Sequence, residues 1–198
     1  RYGADGQGHW ATFKSMVDLL AVLCAYGFPH SFPFVMNARG VPAARLFSIS
    51  RRYFLVIAPV LFAGLYGAVS TGLIHLEIPS SHQVLVVAAS VLFLSWHAIL
   101  RGVSLSAWPP GGYNLITIMP AVVLCALLYW WPADDLDTLP WAMVLAGGIS
   151  YGLPRLLWPL YASSPGTLTA QVSRGEVFEY GLGIFVSNLA AASVAVLV

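Results

Sequence analysis

The sequence predicts an all-α, polytopic transmembrane helical bundle of about six spans forming a single domain over residues 1–198, and three observations carry that prediction. Hydrophobic residues make up 59% of the chain, charged residues only 9%, and the mean hydropathy is +0.79. A soluble domain carries about a quarter charged residues, so this chain cannot coat a water-facing surface. Its apolar residues fall into six runs, each near the roughly 20 residues that cross a bilayer core as a helix. Strands of a membrane barrel would be about ten residues long and alternate in polarity, and these runs do neither. The same composition excludes a nucleic-acid binder, a disordered regulator and a secreted disulfide scaffold. Cys24 and Cys125 lie singly inside apolar runs and read as small packing residues.

In order, the spans fall at about 13–35, 52–76, 83–100, 113–131, 139–161 and 178–198. Lys14, Asp18 and His30 interrupt the first, and Pro29 and Pro33 are expected to break its end. The second, third, fourth and sixth are uninterrupted by comparison. The fifth carries Pro154, Arg155 and Pro159, an expected kink or early stop. Glycines recur in the second (Gly64, Gly67, Gly72), fifth (Gly147, Gly148, Gly152) and sixth (Gly181, Gly183) spans. Small residues let helices approach closely in lipid, so these predict tight packing and a helical partner. The chain begins at Arg1 and ends in SVAVLV without a polar flank, so it is expected to be part of a longer polypeptide. RYGADGQGHW has no apolar core and is no signal peptide.

Charge placement sets the expected orientation. The connection 36–52 holds Arg39, Arg45, Arg51 and Arg52 and no acid, whereas PADDLDTLP holds three acids and no base. By the positive-inside rule the first is cytoplasmic and the second external. Every other loop then falls on the side its charge requires. Trp108, Trp130, Trp131 and Trp141 lie near the resulting boundaries, where amphipathic rings favour the headgroup zone. Eight Arg against one Lys, with abundant Ala, Val, Leu and Gly, indicate a GC-rich bacterial source and hence the bacterial cytoplasmic (inner) membrane.

Several residues are candidates for chemistry. In the connection 36–52, PAARLFSISRRYF reads as a short amphipathic helix with Leu46, Phe47 and Ile49 opposite Arg45, Arg51 and Arg52. It is either an interfacial anchor among anionic headgroups or a docking surface for a partner. Asp18 lies four residues from Lys14 on one helical face and can pair with it. Arg155 can satisfy carbonyls freed by Pro154 and Pro159, snorkel, or receive an anion, with Glu179 and Asn188 as possible partners. His30 and His97 fall toward the same ends of two spans, where a pair of histidines can ligate haem b. HLEIPSSH has residue types that suit zinc but not its spacing, so no metal site is predicted. No GxSxG, no paired catalytic carboxylates and no GxxxxGK[ST] loop occur, so no catalytic residue is assigned and ATP hydrolysis through a P-loop is excluded.

FPFVMNARG followed by LFSISRRYFLVIAPVLF resembles the segment of ABC-2-type exporter permeases in which a short inner loop ending in a Ser-Arg-Arg-like run re-enters the membrane. The resemblance spans residues 32–77, under a quarter of the chain. Pro42 and the longer ARGVPAARL stretch depart from it. It implies the membrane-spanning permease subunit of an ATP-driven exporter, whose loop meets a cytoplasmic ATPase subunit. Two alternatives stand beside it: a membrane subunit of a redox or oxidase-like complex binding haem or quinone, and a non-catalytic assembly subunit. All three imply an oligomer or hetero-complex with other membrane subunits, set in a lipid bilayer.

Overall fold

The computed structural model describes residues 3–72, 81–107, 109–130, 138–161 and 173–197, and these residues are helical apart from short connections. Among the described residues there are seven helices: α1 (Gly3–Ala25), α2 (Phe28–Arg39), α3 (Ala43–Ser70), α4 (Ser81–Ala107), α5 (Pro110–Trp130), α6 (Thr138–Tyr161) and α7 (Arg174–Leu197). Among the described residues four segments are long and apolar enough to cross a membrane: Ala11–Arg39, Ala43–Ser70, Val84–Ala107 and Pro110–Trp130. The chain is thus a multi-pass, all-α membrane protein. The acidic residues Asp134, Asp135 and Asp137, together with His75, Glu77, Trp108 and Trp131, lie outside the described residues.

The first span is two helices rather than one. Tyr26 (φ 50°) and Gly27 (φ 72°) both take left-handed backbone between α1 and α2. The break therefore precedes the prolines instead of following from them. Pro29 lies in the first turn of α2, where its missing N–H costs no hydrogen bond, and Pro33 lies inside the helix. Tyr26 pays the left-handed cost of about 1–2 kcal/mol because its ring is enclosed by Phe28, Tyr53, Phe178 and Phe185 at centroid distances of 5.3–5.9 Å.

The connection 36–52 also differs from expectation. Gly40 (φ 63°) closes α2, its N–H donating to the Met36 carbonyl, and Pro42 starts α3. Only residues 40–42 join the two helices, and the arginine-rich segment is the opening of the long α3, not a separate surface helix. Its apolar face is buried within the protein: Val41, Leu46, Phe47 and Ile49 join Phe28, Phe32, Ile99 and Leu100 in one core cluster. At the fifth span, α6 runs through Pro154 and Pro159 to Tyr161 without stopping.

α4 is the axis of the bundle and packs against α1, α2, α3, α5 and α6, while α7 packs on α2. Contact order fixes the directions. Ser95 Oγ donates to the Ala21 carbonyl (3.0 Å), Gly102 meets Pro29, and Ser106 Oγ reaches the Pro33 carbonyl (3.5 Å), so α1 and α2 run parallel to α4. Phe93 lies on Gly147 and His97 on Ser150, so α6 is parallel to α4 as well. Phe54 stacks on Trp96 at one end and Leu65 clusters with Val84 and Val87 at the other, making α3 antiparallel. α7 opposes α2, with Phe34 against Tyr180 and Tyr26 against Phe185.

Gly102 is the closest approach. Pro33 has no N–H for the carbonyl four residues back, which is that of Pro29. That oxygen occupies the place of a side chain at position 102: a Cβ there would lie 2.1 Å from it. By contrast, Gly64 and Gly67 of α3 have nothing within 4 Å of a Cβ position. Gly102→Ala is therefore expected to cost about 1–3 kcal/mol, whereas Gly64→Ala should be neutral or gain up to about 1 kcal/mol of helix propensity. Thermal unfolding of the two variants in detergent micelles checks the contrast; equal midpoints would refute the packing described.

Candidate functional site

The helix directions gather most of the arginines at one end, with Glu176 and Glu179 of α7 beside them. The C-terminal ends of α2, α4 and α6 and the N-terminal ends of α3, α5 and α7 meet there. They bring Arg39, Arg45, Arg51, Arg52, Arg101, Arg155 and Arg174 to the same end of the bundle. Lys14 and Asp18 form an i,i+4 ion pair near the opposite end, half-exposed on α1. An ion pair closed within one helix has its charge already compensated, which removes it as a lone intramembrane acid.

Arg39, Arg45, Arg51 and Arg52 are all exposed. The residues that carry them are held rigidly, because Val41, Leu46, Phe47, Ile49 and Ser50 between them are buried. Ser50 Oγ donates to the Phe47 carbonyl at 3.0 Å, so this buried hydroxyl is satisfied within the helix. Along α3 the buried and charged positions alternate with helical period, leaving one face in the core and another carrying Arg45 and Arg52. A cavity of about 120 Å³ lies on that charged face, lined by Arg45, Ser48, Ile49 and Arg52.

The neighbouring helices brace the surface. Arg39, in the last turn of α2, lies within electrostatic reach of Tyr180 and of the Glu176 carboxylate of α7. Glu176 accepts the Ser173 N–H (2.8 Å) while its own N–H donates to Ser173 Oγ (3.2 Å), a capping box that fixes the start of α7. Arg155 places its guanidinium 5.4 Å from the centroid of the Phe47 ring, a cation–π contact from α6 to α3. Among the described residues Arg155 makes no ion pair with Glu179, which is exposed. The side chain of Asn188 lies outside the described residues.

The two histidines occupy different environments. His97 is buried, with Nδ1 3.4 Å from the Ser150 carbonyl of α6. Ser95 and Gly102, seven residues apart, mark the face of α4 that receives α1 and α2. His97 is two residues on from Ser95, about 200° around the helix. His30 is exposed on α2, across α4 from the ring of His97. The geometry thus couples His97 to α6, and among the described residues His30 does not join it. Among the described residues no three His, Cys, Asp or Glu side chains converge as a metal site.

Sequence reasoning missed three contributors: the Tyr26–Gly27 break, Gly102, and the Ser173–Glu176 cap. The signals were present as YGFP, a lone glycine in LRGVS, and S-x-x-E before an apolar run. Comparison with known protein families, with curated proteins and with solved structures finds no match.

Ser173→Ala should cost about 1 kcal/mol and loosen the first turn of α7. Hydrogen exchange checks it: faster exchange confined to residues 174–178 is expected, and unchanged exchange would contradict the cap.

Proposed function

We propose that this chain is the membrane-spanning permease subunit of an ATP-driven exporter, with the ATPase on a separate chain docking at the arginine-bearing end. One observation supports the reading above others: four exposed arginines surround a three-residue connection whose intervening side chains are buried in the core. Exposed charge on a rigid mount is what transmission of force requires, since a flexible loop would absorb displacement. An acidic partner surface fits it, because neither α2 nor α3 contains an acid. Each exposed ion pair is worth only about 0.2–1 kcal/mol, so docking would depend on several arginines acting together.

In this mechanism closure of the ATPase pushes the α2–α3 connection. Val41, Leu46 and Phe47 carry the push into the core, and α2 and α3 move as one hairpin. The break at Tyr26–Gly27 is the natural pivot, separating the moving α2 from α1. Discontinuous helices of this kind recur where transporters change conformation. The basic end faces the cytoplasm of a bacterial inner membrane in this reading. The chain works as one part of an oligomer or hetero-complex, and the open faces of α3 and α5 are available to other membrane subunits or lipid.

The test is purification from the native membrane in mild detergent, with an absorption spectrum and identification of co-eluting chains. A P-loop ATPase should co-elute with the wild type, and its recovery should fall at least about tenfold in the Arg45→Ala/Arg51→Ala/Arg52→Ala variant, matching roughly 1.4 kcal/mol or more of lost docking energy. Absence of an ATPase, a haem spectrum, or normal export by the triple variant would each overturn the proposal.

A further inference from the structure

We infer that α7 is a latch on the break between α1 and α2. Seated, it holds Tyr26 in left-handed backbone; unseated, it lets α1 and α2 join as one continuous, proline-kinked helix. Among the described residues Tyr26 is the one non-glycine with a positive φ, 50°. A tyrosine has no intrinsic preference for that region, and such a conformation persists only where its surroundings over-determine it. Gly27 beside it (φ 72°) takes the same region at no steric cost. The conformation of the break therefore turns on a single side chain.

The backbone around Tyr26 is also under-bonded. Its N–H donates to the Leu23 carbonyl (3.3 Å) rather than to that of Val22, and the His30 N–H donates to Gly27 (3.1 Å) rather than to Tyr26. Pro29 has no N–H to offer Ala25. Carbonyls deprived of their donors within a membrane span are costly. A right-handed Tyr26 and Gly27 would return donors to Val22 and Tyr26 and leave the Ala25 carbonyl as it is. α2 already accommodates an internal proline, Pro33, so a kinked continuous helix is within reach of this segment.

α7 supplies much of what holds the break. Phe178, Gly181 and Phe185 share one face of that helix, and all three meet Tyr26 or Gly27. The Phe178 and Phe185 rings lie 5.8 and 5.3 Å from the Tyr26 ring. Gly181 lets the backbones touch: a Cβ on it would lie 3.0 Å from the Tyr26 carbonyl oxygen, and a Cβ on Gly27 would lie 2.4 Å from the Gly181 oxygen. Leu182, Gly183 and Val186, around the other side of α7, are exposed. The face that attaches α7 to the bundle is thus the face that holds Tyr26. Without α7, two of the four rings around Tyr26 remain, Phe28 and Tyr53. Turning Tyr26 right-handed re-phases α2 against α1 and carries the Arg39 end with it. The latch thus controls the pivot of the proposed mechanism and rests on that reading for its purpose, while the conformation of residue 26 is measurable whether or not an ATPase binds.

The experiment uses the full chain in lipid bilayers, with the backbone torsions of residues 26 and 27 read from assigned solid-state NMR shifts. The wild type should show a positive φ at Tyr26. Gly181→Leu, which drives α7 off the break, should turn residue 26 right-handed. Phe178→Ala/Phe185→Ala removes the α7 rings alone and gives the same readout should Gly181→Leu not be recovered folded. Tyr26→Ala keeps the left-handed cost and loses the ring contacts, whereas Tyr26→Gly loses both. The ratio of right- to left-handed conformers should therefore be about tenfold higher in Tyr26→Ala than in Tyr26→Gly. A role in packing alone would leave that ratio equal in the two variants, and equality overturns the latch. A right-handed Tyr26 in the wild type, or a positive φ kept at Tyr26 once α7 is unseated, overturns it as well. Each of these failures leaves ATPase co-elution, and with it the exporter reading, untouched.

Discussion

The packing of this protein depends on one carbonyl. Pro33 withholds the N–H that would bond the Pro29 oxygen, and the oxygen takes up the space of a side chain at Gly102. A Cα–H at that position can meet the freed oxygen directly, so α2 and α4 approach backbone to backbone. With α2 seated so closely, Phe28 and Phe32 reach Ile99 and Leu100, and the core cluster of that half of the bundle can close. α3 is seated in turn through Val41, Leu46 and Phe47, and α7 through Phe178 on Phe28. In a bilayer no solvent squeezes apolar faces together, so close backbone contact and van der Waals fit must carry association. A glycine facing a proline-freed carbonyl supplies both.

Helix class, the membrane environment and the collection of arginines in a few connections were legible in the sequence, because each depends on composition and on runs of residue type. What was not legible depends on partners. The break at Tyr26–Gly27 is invisible to hydropathy, since Tyr26 is a poor left-handed residue in isolation and holds that conformation only inside its aromatic enclosure. Glycine-rich stretches were read alike, yet the structure separates them: Gly147 meets Phe93 and Gly181 meets Tyr26, while Gly64, Gly67, Gly152 and Gly183 meet nothing. Gly102, alone in its stretch, has the tightest contact of all. The histidines show the same limit, because depth in a span does not reveal which way round the helix a ring points.

The arginines at this end differ in position, some lying between helices and others on the outer face of α3. Arg39 lies within electrostatic reach of Tyr180 and Glu176, and Arg155 contacts Phe47, so the two link α7 and α6 to the α2–α3 hairpin. Arg45 and Arg52 line a cavity on α3. Structural bracing and an outward-facing basic surface are thus built from adjacent residues of the same type. Counting charge per loop, as orientation rules do, cannot tell these positions apart.

The three-residue connection at Gly40–Pro42 has one more consequence, for the lengths evolution can tolerate there. Both of its ends are fixed, the first by the left-handed Gly40 and the second by Pro42, with Val41 held in the core between them. No slack remains, so length sets phase. One residue more or fewer, if carried through to α3, would turn that helix by about 100°, driving arginines toward the core and exposing Leu46 or Phe47 instead. Connections on a protein surface usually accept insertions; this one is constrained in register as strictly as the core it enters.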